Sequence, residues 1–148
     1  MSVGRICVRE IDFADPTESA WQAAERMHQR GVGALVVLDP DQRPVGIVTD
    51  RDLVERCIAP NRDANLVTVN EVMTPHPKTI LEDMPIETAL AWMRNGKLRR
   101  LPVVDRDERL VGLISLDDIL MLLAEEFQMI GQLLTSETPK GIAERVTA

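Results

Sequence analysis

The sequence is poor in the residues that build metal centres and disulfide scaffolds. Of 148 residues only two are cysteines, Cys7 and Cys57, and two are histidines, His28 and His76. The cysteines make no disulfide framework and lack zinc-like spacing. The histidines stand far apart with no acidic or cysteine pattern around them, so no metal site is expected. Basic charge is also short. The 17 Lys and Arg against 24 Asp and Glu leave a formal net charge of −7. Bulk nucleic acid and anionic membranes need a basic footprint that such a chain lacks, although a local basic patch can still hold a phosphate. Long apolar runs are absent too. The longest, residues 119–124, cannot span a bilayer. No basic segment followed by an apolar one opens the chain, and a cytoplasmic location is expected. Missing as well are a nucleophile–base pair at a recognisable turn, a phosphate loop and a metal-ligand cluster. Asp50, Asp52, Asp117 and Asp118 are magnesium donors in principle, but carboxylates at helix starts are routine. No catalytic activity is expected.

What is present starts with an ordinary globular composition, 45% apolar and 28% charged, in a chain long enough for one compact core. Its organising feature is a repeat. Gly46-Ile47-Val48-Thr49-Asp50-Arg51-Asp52 returns 66 residues later as Gly112-Leu113-Ile114-Ser115-Leu116-Asp117-Asp118. The same offset pairs Ala23 with Ala89, Met27 with Met93, Leu35 with Leu101, Val37 with Val103, Asp39 with Asp105 and Arg43 with Arg109. With two copies only, a pseudo-symmetric pair is expected and a solenoid is not.

In chain order, Ile6, Val8 and Ile11 fit a short lead-in strand. Asp15-Pro16-Thr17-Glu18 reads as a helix start, with Asp15 as the cap. Ala20, Ala23, Ala24 and Met27 follow at helical spacing, and Gly31 ends the helix. Two apolar runs joined through Asp39 to Arg43 make a hairpin whose strands are buried on both faces. A second helix follows Thr49 and carries Leu53, Val54 and Ile58. Residues 60–66 are a polar linker, 68–73 a short helix, and Thr74-Pro75-His76-Pro77 an extended path forced by two prolines. The second copy repeats this order, and its last helix runs on through Leu133 and Leu134. A helix so apolar is covered by something; residues 135–148 are polar and expected to fray. The class is α+β, two β-α-β-β-α units packed with pseudo-twofold symmetry and ending in a long C-terminal helix, with two related clefts at the seam. The expected division is 1–66 for the first repeat with its lead-in and linker, 67–125 for the second, and 126–148 for the helix extension and tail.

Taken together, Val72-Met73-Thr74-Pro75, Arg99-Arg100-Leu101-Pro102-Val103-Val104-Asp105 and the two Gly-x-x-Thr/Ser-x-x-Asp segments resemble a tandem pair of CBS domains. This regulatory module is named after cystathionine β-synthase, and the resemblance covers roughly residues 5–125. It implies a stand-alone protein of bacterial type, a homodimer without a catalytic cofactor. It also implies an adenosine-containing regulatory ligand, AMP, ADP, ATP, NAD or S-adenosylmethionine, with AMP or ATP foremost. Occupancy would change the arrangement of the modules and act on a regulated partner protein that the sequence does not identify.

The residues give that ligand class a physical basis. Thr49 and Ser115 fall where a strand gives way to a helix, so hydroxyl and amides there form an anion-accepting end. Asp52 and Asp118 share a helical face with them and suit a ribose diol, which needs an acceptor-only group. The family precedent assigns the hydroxyls to phosphate and the aspartates to ribose. Both pairs also read as capping boxes that need no ligand. Arg99 and Arg100, with Arg51, are the phosphate-side candidates; strand alternation gives a cleft only one of Arg99 and Arg100. Gly33 and Ala34 stand at their positions in the first copy, so the clefts are not equivalent. Family position places the adenine walls at Val32 with Ile11 in one cleft and at Leu98 with Ile80 in the other. Trp21 and Trp92 read as packing or interface residues. The alternative is a non-catalytic dimerisation or interaction module with vestigial clefts.

Overall fold

Two hairpins built alike form the centres of two sheets in the computed structural model, which describes residues 1–137. The elements run α1 (Val3–Ile6), β1 (Phe13–Ala14), α2 (Ala20–Arg30), β2 (Ala34–Leu38), β3 (Pro44–Thr49) and α3 (Asp50–Leu53), which continues as a π-helical turn over Val54–Ile58. They continue with α4 (Val69–Val72), β4 (Thr74–Pro75), β5 (Ile80–Leu81), α5 (Ile86–Gly96), β6 (Arg100–Val104), β7 (Leu110–Ser115) and α6 (Leu116–Glu137). β2 and β3 pair antiparallel with β1 parallel to β2; β6, β7 and β5 repeat that arrangement. The aspartates conserved by the repeat explain the matching turns. Asp39 Oδ1 accepts from the N–H of Asp41 and of Arg43, both at 2.9 Å, and Asp105 Oδ1 does the same for Asp107 and Arg109 at 2.9 and 3.0 Å. Leu35 and Leu101 lie fully buried at the centres of the two hairpins.

The first helix starts later than the sequence suggests. Ser19, not Asp15, is its cap, closing a capping box with Gln22. Asp15 is occupied by its own turn, accepting from the Thr17 N–H at 2.8 Å and from the Thr17 hydroxyl; these hydrogen bonds hold its carboxyl below the usual carboxylate range. Ala20, Ala23 and Met27 face the core, and Gly31 ends the helix in the left-handed region at φ 66°.

The lead-in is the larger correction. Residues 3–6 are helical, Ile11 lies in no strand, and Val8 forms an isolated bridge to Leu113 of the second repeat. Val3 is fully buried in the second core beside Ile80, Leu101 and Ile114. The opposite exchange occurs 66 residues on: Val69 and Val72 are buried in the first core, and β4 pairs antiparallel with β3. The hydrogen bonds match in detail. Val3 and Gly4 donate to the Met84 and Glu82 carbonyls, both at 2.8 Å, while Val69 and Asn70 donate to those of Glu18 and Pro16 at 2.8 and 3.0 Å. Thus residues 69–75, which adjoin the second repeat in sequence, pack on the first core and sheet, and residues 3–8 pack on the second.

The C-terminal helix has 22 residues and buries only Ile119. At about 1.5 Å per residue it is roughly 33 Å long, and Leu120, Phe127, Ile130 and Leu133 lie on its exposed surface. It continues through residues 135–137, which were expected to fray; 138–148 lie outside the described residues.

Gly46 and Gly112 are where the exchanged segments press closest. A Cβ on Gly112 would stand 2.6 Å from the Val8 carbonyl oxygen and 2.9 Å from Cys7 Sγ, whereas the atoms nearest to one on Gly46 belong to the Met73 side chain. Gly112→Ala is therefore expected to cost about 1–3 kcal/mol, and more than Gly46→Ala, because backbone yields less than a flexible thioether. Urea unfolding of both variants measures this; equal losses would contradict the close approach of Val8.

Candidate functional site

β3 ends and α3 begins at Thr49, which brings its hydroxyl and the Asp52 carboxylate to the seam. Thr49 Oγ1 accepts from the Asp52 N–H at 3.1 Å, and Asp52 Oδ2 accepts from the Thr49 N–H at 2.9 Å. Ser115 and Asp118 repeat this with distances of 3.1 and 2.8 Å, and the Ser115 hydroxyl also donates to Asp118 Oδ2 at 2.8 Å. Both pairs are capping boxes. At Thr49 the first-turn amides are spent internally, since Asp50 N–H donates to the Gly33 carbonyl at 3.0 Å and Arg51 N–H to Asp50 Oδ1 at 2.8 Å. The anion-accepting helix end expected from the sequence is therefore not open there, and any anion must be held by side chains.

Those side chains are close by. Thr49 and Asp52 open on a seam cleft of about 660 Å³. Ile47, Asp50 and Arg51 complete its first-repeat wall. Thr74, His76, Pro77 and Lys78 line it from the connecting segment, and Lys97, Leu98, Arg99 and Arg100 from the second repeat. The fold thus unites Thr49, Arg51, Asp52, Leu98, Arg99 and Arg100. Both Arg99 and Arg100 line the cleft, against the single one given by alternation, because β6 starts at Arg100 and Arg99 precedes its pleat.

Other predicted residues lie elsewhere. Ser115 and Asp118 do not line this cleft. Ile80 does not line it either; it is 1% exposed, lies in the second core and pairs with Val103. Val32 and Ile11 do not meet in one cavity. Val32 borders a shallow hollow with Met27, Leu53 and Ile58, while Ile11 borders a different one with Phe13, Leu38 and Leu110. Tertiary packing separates them, because the chain between Ile11 and α2 runs along β2. Trp92 packs against the second core with Lys78 Nζ 4.2 Å above its ring, and Trp21 is half exposed.

Arg56 was not foreseen, and the repeat hides it because Leu122 holds the equivalent position. Its guanidinium donates to the Val72 and Met73 carbonyls at 2.9 and 2.8 Å and lies 3.8 Å from Asp52 Oδ1. It joins the cleft carboxylate to the connecting segment. Around the rim, Arg51 pairs with Glu55 at 2.7 Å, and that hydrogen bond raises its pKa above the ordinary arginine value. Arg99 pairs with Asp117 at 3.4 Å. Both pairs are exposed and contribute little to stability. Cys7 is a packing residue whose thiol is pushed up by burial, partly offset by Arg9.

Comparison with known proteins decides the family. The CBS domain model matches twice, over residues 3–59 and 69–125. The chain belongs to the CBS-domain family. The two matches are offset by the same 66 residues as the sequence repeat, and each includes one of the exchanged leading segments. An uncharacterized protein of Methanopyrus kandleri is 33% identical over 82% of this CBS pair and 62% of its own length, so the chain spans less than two thirds of that relative. Among solved structures, a putative signal-transduction protein with CBS domains from Burkholderia ambifaria shares 29% identity at a TM-score of 0.75, covering 83% of this chain and 93% of that one. The CBS domain pair of protein MJ0100, in complex with 5′-methylthioadenosine and S-adenosyl-L-methionine, shares 27% identity at a TM-score of 0.76, covering 85% and 98%.

In this CBS pair the two cap hydroxyls have a measurable structural role whatever else they bind. Thr49→Ala and Ser115→Ala are each expected to lower the unfolding free energy of ligand-free protein by about 1 kcal/mol. Denaturant titration checks this, and unchanged stability in either variant would remove that hydroxyl from its cap.

Proposed function

We propose that this CBS pair is a non-catalytic regulatory module that binds an adenosine-containing ligand in the seam cleft. The observation that carries the reading is the meeting of Thr49 and Asp52 of one repeat with Leu98, Arg99 and Arg100 of the other across about 660 Å³. That volume lies within the usual range of small-molecule sites, about 300–1,000 Å³. Asp52 is the ribose acceptor through Oδ1, which its cap does not use. Thr49 and the arginines serve phosphate, and Leu98 with Ile47 and Pro77 supplies an apolar wall for adenine. The adenosyl ligands of MJ0100 and the complex of the related CBSX2 with AMP support the ligand class. Ser115 and Asp118 are the corresponding residues of a second, dissimilar position.

A ligand in this cleft touches both repeats and the segment between them. Its differential affinity for two packings of the pair shifts their populations and so alters a partner protein or the module's own assembly. The working form is a cytoplasmic homodimer with neither nucleic acid nor membrane as its partner. Among the described residues no helix is long and apolar enough to cross a membrane.

One observation favours a dimerisation module as a second reading. Leu120, Leu123, Phe127 and Ile130 are exposed on α6 at alternating three- and four-residue steps, the spacing of a two-helix seam. The two readings coexist if the dimer carries the clefts.

Thermal-shift titration with AMP, ADP, ATP, NAD and S-adenosylmethionine tests the first reading. Stabilisation should grow with concentration, by about 2.7 kcal/mol at a hundred times Kd. Asp52→Asn keeps an acceptor for the Thr49 amide and should weaken the shift while barely moving the ligand-free melting point. A wild-type protein that ignores every adenosine compound would sink the reading. Light scattering tests the second: Phe127→Glu with Ile130→Glu should convert a dimer to a folded monomer, and an unchanged mass would dismiss α6 as the interface.

A further inference from the structure

We infer that the seam cleft selects by phosphate number and takes a nucleoside polyphosphate, while the pseudo-equivalent position of the other repeat rejects phosphate. This deepens the adenosine reading and rests on it. The cleft is lined by five Lys and Arg side chains against two carboxylates, in a chain whose net charge is −7. Set against Asp50 and Asp52 the five cations leave a surplus of three positive charges; a phosphate monoester carries up to about two negative charges, so the surplus calls for a further phosphate. The same cations disfavour a sulfonium ligand.

The repeat supplies an internal control. Sixty-six residues from Arg51, His76, Lys78, Lys97, Arg99 and Arg100 stand Asp117, Glu10, Asp12, Gly31, Gly33 and Ala34. Every basic lining residue is acidic or small in the other copy. The equivalent helix end and hairpin form in the other copy without these charges, so those elements do not require them.

Two of the cations show it most directly. Lys97 ends α5 in the left-handed region at φ 53°, the place that Gly31 takes at φ 66° after α2. Glycine suits that conformation better than lysine, so the backbone at this position does not call for the lysine. Arg100 is half-buried. Neither side chain has an ion pair or hydrogen bond among the described residues. Arg51 and Arg99 are held only by single exposed carboxylates, Glu55 and Asp117, which a phosphate can replace.

The experiment is isothermal titration of wild type, Lys97→Gly and Arg100→Gln with adenosine, AMP, ADP, ATP, S-adenosylmethionine and inorganic tripolyphosphate, at low and high salt. Wild-type affinity should rise at least tenfold from AMP to ATP, and ATP binding should weaken as salt screens the charges. Lys97→Gly should raise the ligand-free melting temperature yet weaken ATP more than AMP; a merely structural lysine would move the first and not the second. Arg100→Gln should also weaken ATP more than AMP. AMP binding as well as ATP, or binding indifferent to salt, overturns phosphate counting and leaves the adenosine reading standing. Tripolyphosphate binding without that of any adenosine compound supports the phosphate site and ends the adenosine reading. Binding of none of them overturns both.

Discussion

The structure depends on an exchange of leading segments between the two repeats. Val8 and Leu113 trade two backbone hydrogen bonds of 2.9 Å, and Thr74 and Pro75 pair with Ile47 and Gly46 in the other sheet. Val3 and Val69 each enter the core of the repeat to which they are not adjacent in the hairpin order. Separating the repeats would expose these apolar side chains and strand edges together, so neither half is complete alone. A Cβ at Gly112 would meet the backbone of the exchanged segment, and one at Gly46 the Met73 side chain of the other.

That constraint creates the seam and sets its contents. The connecting segment lies along β3, so His76, Pro77 and Lys78 reach the cleft beside Thr49 and Asp52. Arg56 holds the same segment by its carbonyls while facing Asp52. A ligand drawing on Asp52 therefore competes with a contact that fixes the path between the repeats. This is a short physical route from the proposed site to module geometry, and it exists in one repeat only. Pseudo-symmetry is kept where folding needs it, in cores, turns and caps, and lost where the cleft chemistry lies.

Each hydroxyl–carboxylate pair caps its helix, and the Asp52 carboxylate also faces Arg56. Asp52 Oδ2 secures the Thr49 amide, while Oδ1 faces the Arg56 guanidinium at 3.8 Å, the contact that a ligand at the proposed site would have to replace. At the proposed site, capping would position the acceptor before any ligand arrives, so little ordering entropy would be lost on binding.

The sequence by itself determined the repeated architecture. Short continuous apolar runs, the Asp39 and Asp105 turns and Gly31 specify local structure through interactions spanning only a few residues, and a fixed 66-residue offset ties the two copies together. The cap pairs and the charge contrast of Arg99 and Arg100 with Gly33 and Ala34 were legible for the same reason. The tertiary structure decided what lies between the repeats. Only packing could place Val3 in the far core, bury Ile80, divide Val32 from Ile11 and bring Lys78 and Lys97 to Asp52. Such contacts join residues far apart in the chain, and they follow from which surfaces bury together, a property that no local spacing encodes.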